Sequence, residues 1–244
     1  MNYLKNILLI IVVLISIYLL FNIYQNSFNL HTFVNNTEVT TKKLSKYEET
    51  VLSESPKIIY IKNFLPEDEL INHFILLANK LKKISTVDTK NNPTAILKDV
   101  RTSESAHLGK SSDKIIKILE DRACEYVDLP PSHLEPMQVV VYEKSQKYNP
   151  HYDFFSGDST EISKGNRNKT VLVYLNDLPE NSGGCTIFPK INLKIKPKKG
   201  DAIYFENMNG SNVDYNSLHA GEEILGDHTK YAINIWFREN PIYA

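Results

Sequence analysis

The sequence predicts a mainly β domain with flanking α-helices, preceded by one N-terminal transmembrane helix. Three observations carry that prediction. Segments with helical spacing come first and short strand-like segments follow, with no βαβ alternation, which favours an antiparallel sandwich or barrel supported by helices. Turn signals separate the strand-like segments: Asn149-Pro150, Gly183-Gly184, Gly200-Asp201 and Asn209-Gly210. Ahead of all this, residues 7–21 are apolar except for Ser16, and Ile23 and Tyr24 extend the run.

Residues 6–24 reach the length of about 20 residues that a helix needs to cross a bilayer. A cleaved signal peptide is the alternative. The run is long for one, and Asn22-Ile23-Tyr24-Gln25 offers no small-residue cleavage site. Residues 1–5 then form a short tail carrying Lys5, whereas the next lysines after the span are the distant Lys42 and Lys43. The positive-inside rule leaves the tail in the cytosol and the bulk of the chain in the lumen of the endoplasmic reticulum or an equivalent compartment. That is a single-pass type II topology. Glycosylation sequons at Asn35, Asn168 and Asn209 agree with it. Residues 25–55 are polar and lack periodicity, which predicts a stalk leading to one domain over 56–244.

Within the domain, residues 57–61 read as a strand. Pro66 opens a helix with Glu67, Asp68 and Glu69 in its first turn, where the helix dipole favours acids, and Leu70, Ile71, Phe74, Leu77 and Leu81 carry the spacing to about Lys83. A second helix starts near Ser112-Asp113 and places Ile115, Ile116, Leu119 and Ala123 on one face. Strands are predicted at 137–142, 170–176, 185–188, 193–195, 201–205, 217–219 and 232–237.

A net charge of −1 gives no general attraction to nucleic acid, and two cysteines, Cys124 and Cys185, read as buried thiols. His31, His73, His107, His133 and His228 lie outside any motif and read as surface or packing residues.

Chemistry enters at His151-Tyr152-Asp153, where extended backbone turns residues i and i+2 to one side. Alone, such a pair is common. His219 recurs at a strand end, however, and two histidines with one carboxylate on one side of a metal leave its other positions open. Non-haem Fe(II) oxygenases use that arrangement. Lys230 precedes an apolar strand, and a lysine inside such a barrel needs an anionic partner. A keto-dicarboxylate bound to iron at one end and to the ammonium at the other meets both needs.

The segments 135–155, 167–176, 183–189, 199–205, 217–221 and 230–236, in that order, resemble the prolyl 4-hydroxylases, which are 2-oxoglutarate- and Fe(II)-dependent dioxygenases. The likeness spans roughly residues 57–238. It implies a double-stranded β-helix, or jelly roll, with helices against one sheet. His151, Asp153 and His219 align with the iron ligands, and Lys230 with the residue that pairs the far carboxylate of 2-oxoglutarate. Tyr142 and Thr186 match hydroxyls that assist there. Glu135, Tyr148, Arg167 and Trp236 fall where family members contact the substrate peptide, and Arg101-Thr102-Ser103 resembles a loop over the peptide groove. Arg238 lies near the substrate end without a family match.

The implied reaction hydroxylates peptidyl proline at C4, converts 2-oxoglutarate and O2 to succinate and CO2, and uses ascorbate to restore iron. Three features depart from the family: Ser145 replaces a usual Gly, Cys185 replaces a usual acid, and one extra residue lies between Gly226 and Lys230. Two other readings remain: a sister oxygenase for peptidyl lysine or alkylated nucleobases, and a non-catalytic jelly-roll binding module.

Overall fold

The computed structural model describes residues 46–89, 92–156 and 160–243. The predicted tail, membrane span and most of the stalk lie outside these. Among the described residues no helix is long and apolar enough to cross a membrane.

Among the described residues, sixteen strands and two α-helices follow in chain order. They are β1 (Glu48–Glu54), β2 (Lys57–Lys62), α1 (Asp68–Leu81), β3 (Lys83–Ile84), β4 (Val87–Thr89), β5 (Asn92–Ala95), β6 (Glu104–His107), α2 (Lys114–Val127), β7 (Gln138–Tyr142) and β8 (Tyr148–His151). After them come β9 (Arg167–Tyr174), β10 (Thr186–Phe188), β11 (Leu193–Ile195), β12 (Ala202–Glu206), β13 (Met208–Asn209), β14 (Asn212–Val213), β15 (His219–Gly221) and β16 (Lys230–Arg238). The major sheet runs β1-β2-β12-β9-β16-β7-β6-β3 and the minor sheet β11-β10-β15-β8. All their pairings are antiparallel.

The major sheet is buried on both faces, which is why its central strands read as unbroken apolar runs. Val139, Val141, Val171, Val173, Ile233 and Ile235 point to a core that includes Ile71, Phe74 and Ala78 of α1 and Ile116, Leu119 and Ala123 of α2. Their neighbours Val140, Tyr142, Leu172, Tyr174 and Ala232 point the other way, to a second core with Phe188 and Ile195 of the minor sheet. The two-residue period of a strand thus divides each segment between helices and barrel interior. Helix α2 starts where expected: the Asp113 side chain accepts a hydrogen bond from Ile116 N at 2.8 Å.

Four expectations need correction. Residues 48–54 are not stalk but an edge strand paired with β2. Its EETVLSE sequence leaves most side chains exposed, so it lacks the apolar alternation of a packed strand. Asn149-Pro150 marks no turn but lies within β8, at the margin of the minor sheet, where a proline without N–H is tolerated. The strand expected at 217–219 begins at His219, because Tyr215–Ser217 form a 3-10 turn. The strand expected at 170–176 begins at Arg167 and ends at Tyr174. At Gly183-Gly184 the chain takes φ of 64° and 74°, and a Cβ on Gly183 would sit 2.1 Å from the Glu223 carbonyl oxygen, so glycine is required there.

Candidate active site

His151 ends β8 and His219 begins β15, and the two are direct cross-strand partners. Asp153 follows two residues after His151, in the bend leaving β8. One ligand atom from each of the three lies within 4.8 Å of the others. Both imidazoles are held in the same way. Nδ1 of His151 donates to Asn149 O at 2.9 Å, and Nδ1 of His219 donates to Ser217 O at 2.9 Å. A carbonyl can only accept, so Nδ1 carries the proton and Nε2 keeps its lone pair for a metal. Asp153 has one oxygen fixed, Oδ2 accepting from Thr170 Oγ1 at 2.8 Å, while Thr170 accepts from Asn207 Nδ2 at 2.9 Å. Oδ1 lies 3.7 Å from His219 Nε2.

Electrostatics suit a cation. Burial pushes the Asp153 carboxyl up, but His219, His151, Arg167 and the Thr170 hydroxyl outweigh it and hold the group below the ordinary range. Burial, reinforced by His219, holds His151 well below the usual imidazole value, so it stays neutral. Two imidazoles and a carboxylate, each with its other polar atom engaged, fit a divalent iron.

Lys230 opens β16 opposite Tyr142 of β7. It is 3% exposed, and no hydrogen-bond acceptor reaches its ammonium among the described residues. Its Nζ instead lies 5.5 Å from the Tyr142 ring centroid and 5.6 Å from that of Tyr174. Burial pulls its pKa down to about 8. Thr186 accepts from the buried Tyr174 hydroxyl at 2.9 Å, which leaves its own proton free to donate. A Cβ on Gly221 would come within 3.2 Å of the Tyr142 hydroxyl, so β15 approaches that ring closely. A cavity of about 780 Å³ reaches from Lys230 past the triad to Trp236. Lys230, Ala232, Asn234 and Trp236 line it from alternate positions of one strand. An uncompensated, buried ammonium lining such a cavity fits the far carboxylate of a dicarboxylate.

The sequence profile of the 2OG-Fe(II) oxygenase superfamily matches residues 137–238. Over 197 residues the chain is 36% identical to probable prolyl 4-hydroxylase 3 of Arabidopsis thaliana, covering 72% of this chain and 67% of that protein. The chain belongs to the prolyl 4-hydroxylase family. Prolyl 4-hydroxylase 5 of the same plant is 33% identical, with 77% of this chain and 70% of that one covered. Among solved structures, the viral collagen prolyl hydroxylase of Paramecium bursaria Chlorella virus-1, in complex with 2-oxoglutarate, superposes with a TM-score of 0.59 at 28% identity. That match covers 74% of this chain and 95% of that one. The fold is therefore the jelly roll of these oxygenases.

At the open end of this prolyl 4-hydroxylase cavity, Tyr148 stacks on His151 with ring centroids 3.5 Å apart. The Arg101 guanidinium covers the other side of Tyr148, 4.6 Å from its centroid. Glu135 is saturated: Arg167 donates to both its oxygens at 2.9 and 2.8 Å, and Arg238 Nε lies 2.6 Å from Oε1 as an ion pair too poorly angled for a hydrogen bond. Arg167 stacks on Trp236 at 3.8 Å, and among the described residues the buried Trp236 Nε1 has no acceptor. Arg238 also binds Glu161 and the Gly165 carbonyl.

Several residues escaped the sequence reading. His107, read as a surface or packing residue, is exposed and also lines the cavity beside Gln138. Tyr174 and Thr170 share a strand face with Leu172, so the two-residue period placed them inward; Asn207 follows β12 and has no such signal. Cys124 and Cys185 are buried free thiols, as read.

Proposed function

We propose that this chain is a membrane-anchored, 2-oxoglutarate- and Fe(II)-dependent dioxygenase that hydroxylates peptidyl proline at C4 and converts 2-oxoglutarate and O2 to succinate and CO2. The observation that carries it is the pairing of a His-Asp-His cluster with Lys230, a buried ammonium lacking an acceptor, at the end of the same cavity. Iron and 2-oxoglutarate supply the oxidising power. The chain supplies position. His151, Asp153 and His219 hold the metal from one side. Lys230 takes the far carboxylate of the co-substrate, helped by the Thr186 and Tyr142 hydroxyls. Trp236, Tyr148 and Arg167 hold the substrate peptide, and the unpartnered Trp236 N–H supports that role because a backbone carbonyl would satisfy it. Glu135 fixes the two guanidinium groups beside them. Ascorbate restores iron after unproductive turnovers, as the family implies.

The sister oxygenases for lysyl residues or nucleobases commonly pair the co-substrate with arginine, and a net charge of −1 suits nucleic acid poorly. Retention of all three ligands and Lys230 disfavours a lapsed binding module. The apolar run at 6–24, with Lys5 before it, supports a type II anchor with the domain in the lumen. The test is direct. The full-length chain is incubated with Fe(II), 2-oxoglutarate, ascorbate and proline-rich peptides, and fragment-ion mass spectrometry then locates one added oxygen on proline. Steady 2-oxoglutarate consumption with no oxygenated proline in any peptide would overturn the substrate.

A further inference from the structure

Beside the iron ligands lies an aromatic platform that packing alone does not explain. Tyr152, the residue between His151 and Asp153, stacks on Phe154 with ring centroids 4.5 Å apart and planes at 24°. Tyr215 sets its edge against both, at 5.7 Å and 85° from Tyr152 and at 5.8 Å and 87° from Phe154. The Lys190 ammonium lies 5.7 Å from the Tyr152 centroid and 5.6 Å from that of Tyr215. These pieces come from three places: the bend after β8, the 3-10 turn Pro189–Ile191 and the 3-10 turn Tyr215–Ser217.

Two features set the cluster apart from core. Tyr215 is 59% exposed, whereas a ring recruited for packing would be covered. Lys190 is exposed too, and among the described residues it has neither an ion-pair nor a hydrogen-bond partner. Its charge is answered only by ring faces. The platform is also continuous with the active-site cavity, because Tyr152 and Phe154 line that cavity while Tyr215 and Lys190 extend their surface outward.

We propose that this platform is an accessory subsite for the polypeptide flanking the target proline, and that it selects a proline-rich stretch carrying an acidic side chain. The inference rests on the prolyl 4-hydroxylase reading. A chain rich in proline adopts the extended polyproline II helix at low ordering cost and offers its pyrrolidine rings to aromatic faces. The surplus cation beside those faces complements a carboxylate on the same stretch.

Fluorescence anisotropy of labelled proline-rich peptides tests this on the full-length protein, loaded with Fe(II) and 2-oxoglutarate under argon so that binding is read without turnover. The peptides carry Glu or Lys at successive positions on either side of the target proline. At one position Glu should bind about two- to fivefold tighter than Lys, and Lys190→Glu should abolish or reverse that preference. Tyr215→Ala should weaken every proline-rich peptide about three- to tenfold, with Tyr215→Phe restoring it. Both side chains are exposed, so neither change threatens the fold. Charge-indifferent binding by the unmodified protein at every position would overturn the proposal, as would variants that bind like it. Hydroxyproline in the same peptides is scored separately under air, so an active but indifferent enzyme sinks the subsite alone.

Discussion

Replacing Lys230 with Met removes a charge and keeps most of the volume, and the structure gives its two consequences opposite signs. Without co-substrate the ammonium is buried among the Tyr142 and Tyr174 rings with no acceptor, and burial has drawn its pKa from 10.5 to about 8 despite the opposing pull of Cys185 and Glu222. That displacement corresponds to roughly 3 kcal/mol of cost in keeping the lysine charged within the fold. Below about pH 8 the folded protein bears the full cost. Between about 8 and 10.5 it sheds the proton while the unfolded chain keeps it, so stability rises with pH across that window. Lys230→Met should therefore raise the melting temperature of the metal-free, co-substrate-free protein at pH 7 by several degrees and flatten its rise above pH 8.

Binding runs the other way. With 2-oxoglutarate present the ammonium makes a charge-assisted hydrogen bond, and deleting it strands a carboxylate in a dry pocket at a cost of about 3 kcal/mol. The KM for 2-oxoglutarate should rise about a hundredfold in Lys230→Met. In the unmodified enzyme it should climb above pH 8, as the lysine loses its proton. Calorimetric melting and succinate release measure the two arms. An unchanged KM, or a variant less stable than the parent without co-substrate, would refute this account of Lys230.

Thr170→Val removes the hydrogen bond that fixes Asp153 Oδ2 and should weaken Fe(II) affinity by about 1 kcal/mol, roughly fivefold in a metal titration; unaltered affinity would leave Thr170 a packing residue. His219→Ala should abolish 2-oxoglutarate turnover while circular dichroism stays native, since the ring sits at the cavity wall and not within the helix-side core. Ser145 holds φ of 64° on an exposed turn, so Ser145→Gly should raise stability by about 0.5 kcal/mol in denaturant titration. Carbonate extraction of membranes should leave the full-length protein in the pellet; a soluble product beginning after residue 24 would mark a cleaved signal peptide instead.

Much of the fold was legible because its central strands are buried twice over. Gln138-Val-Val-Val-Tyr142 and Thr170-Val-Leu-Val-Tyr174 must satisfy two cores and so spell themselves out in apolar residues. Strand β1 satisfies none and was read as stalk. The triad was visible from the i, i+2 spacing of His151 and Asp153 and the recurrence of His219 at a strand end, and Lys230 because an ionisable side chain opening an apolar strand needs a partner. What stayed hidden depends on pairings across the sheet. Nothing near Glu135 announces that two arginines, cross-strand partners at one end of the β9–β16 ladder, will close on it. Nor does Asn207 betray that its amide orders Thr170.

The marginal position of β8 bears on how this protein holds itself together. That strand contains a proline, pairs with one strand of its sheet besides an isolated bridge from Tyr148 to Arg101, and meets β15 in an irregular register at His151–His219 and Tyr148–Gly221. A ligand set drawn from both strands would make iron a clasp across this irregular seam. Stripping the metal should loosen the strand that presents Tyr148 and, through it, the wall beneath Arg101. Amide exchange in 148–153 would then rise on chelation before the central ladder of β9 and β16 responds.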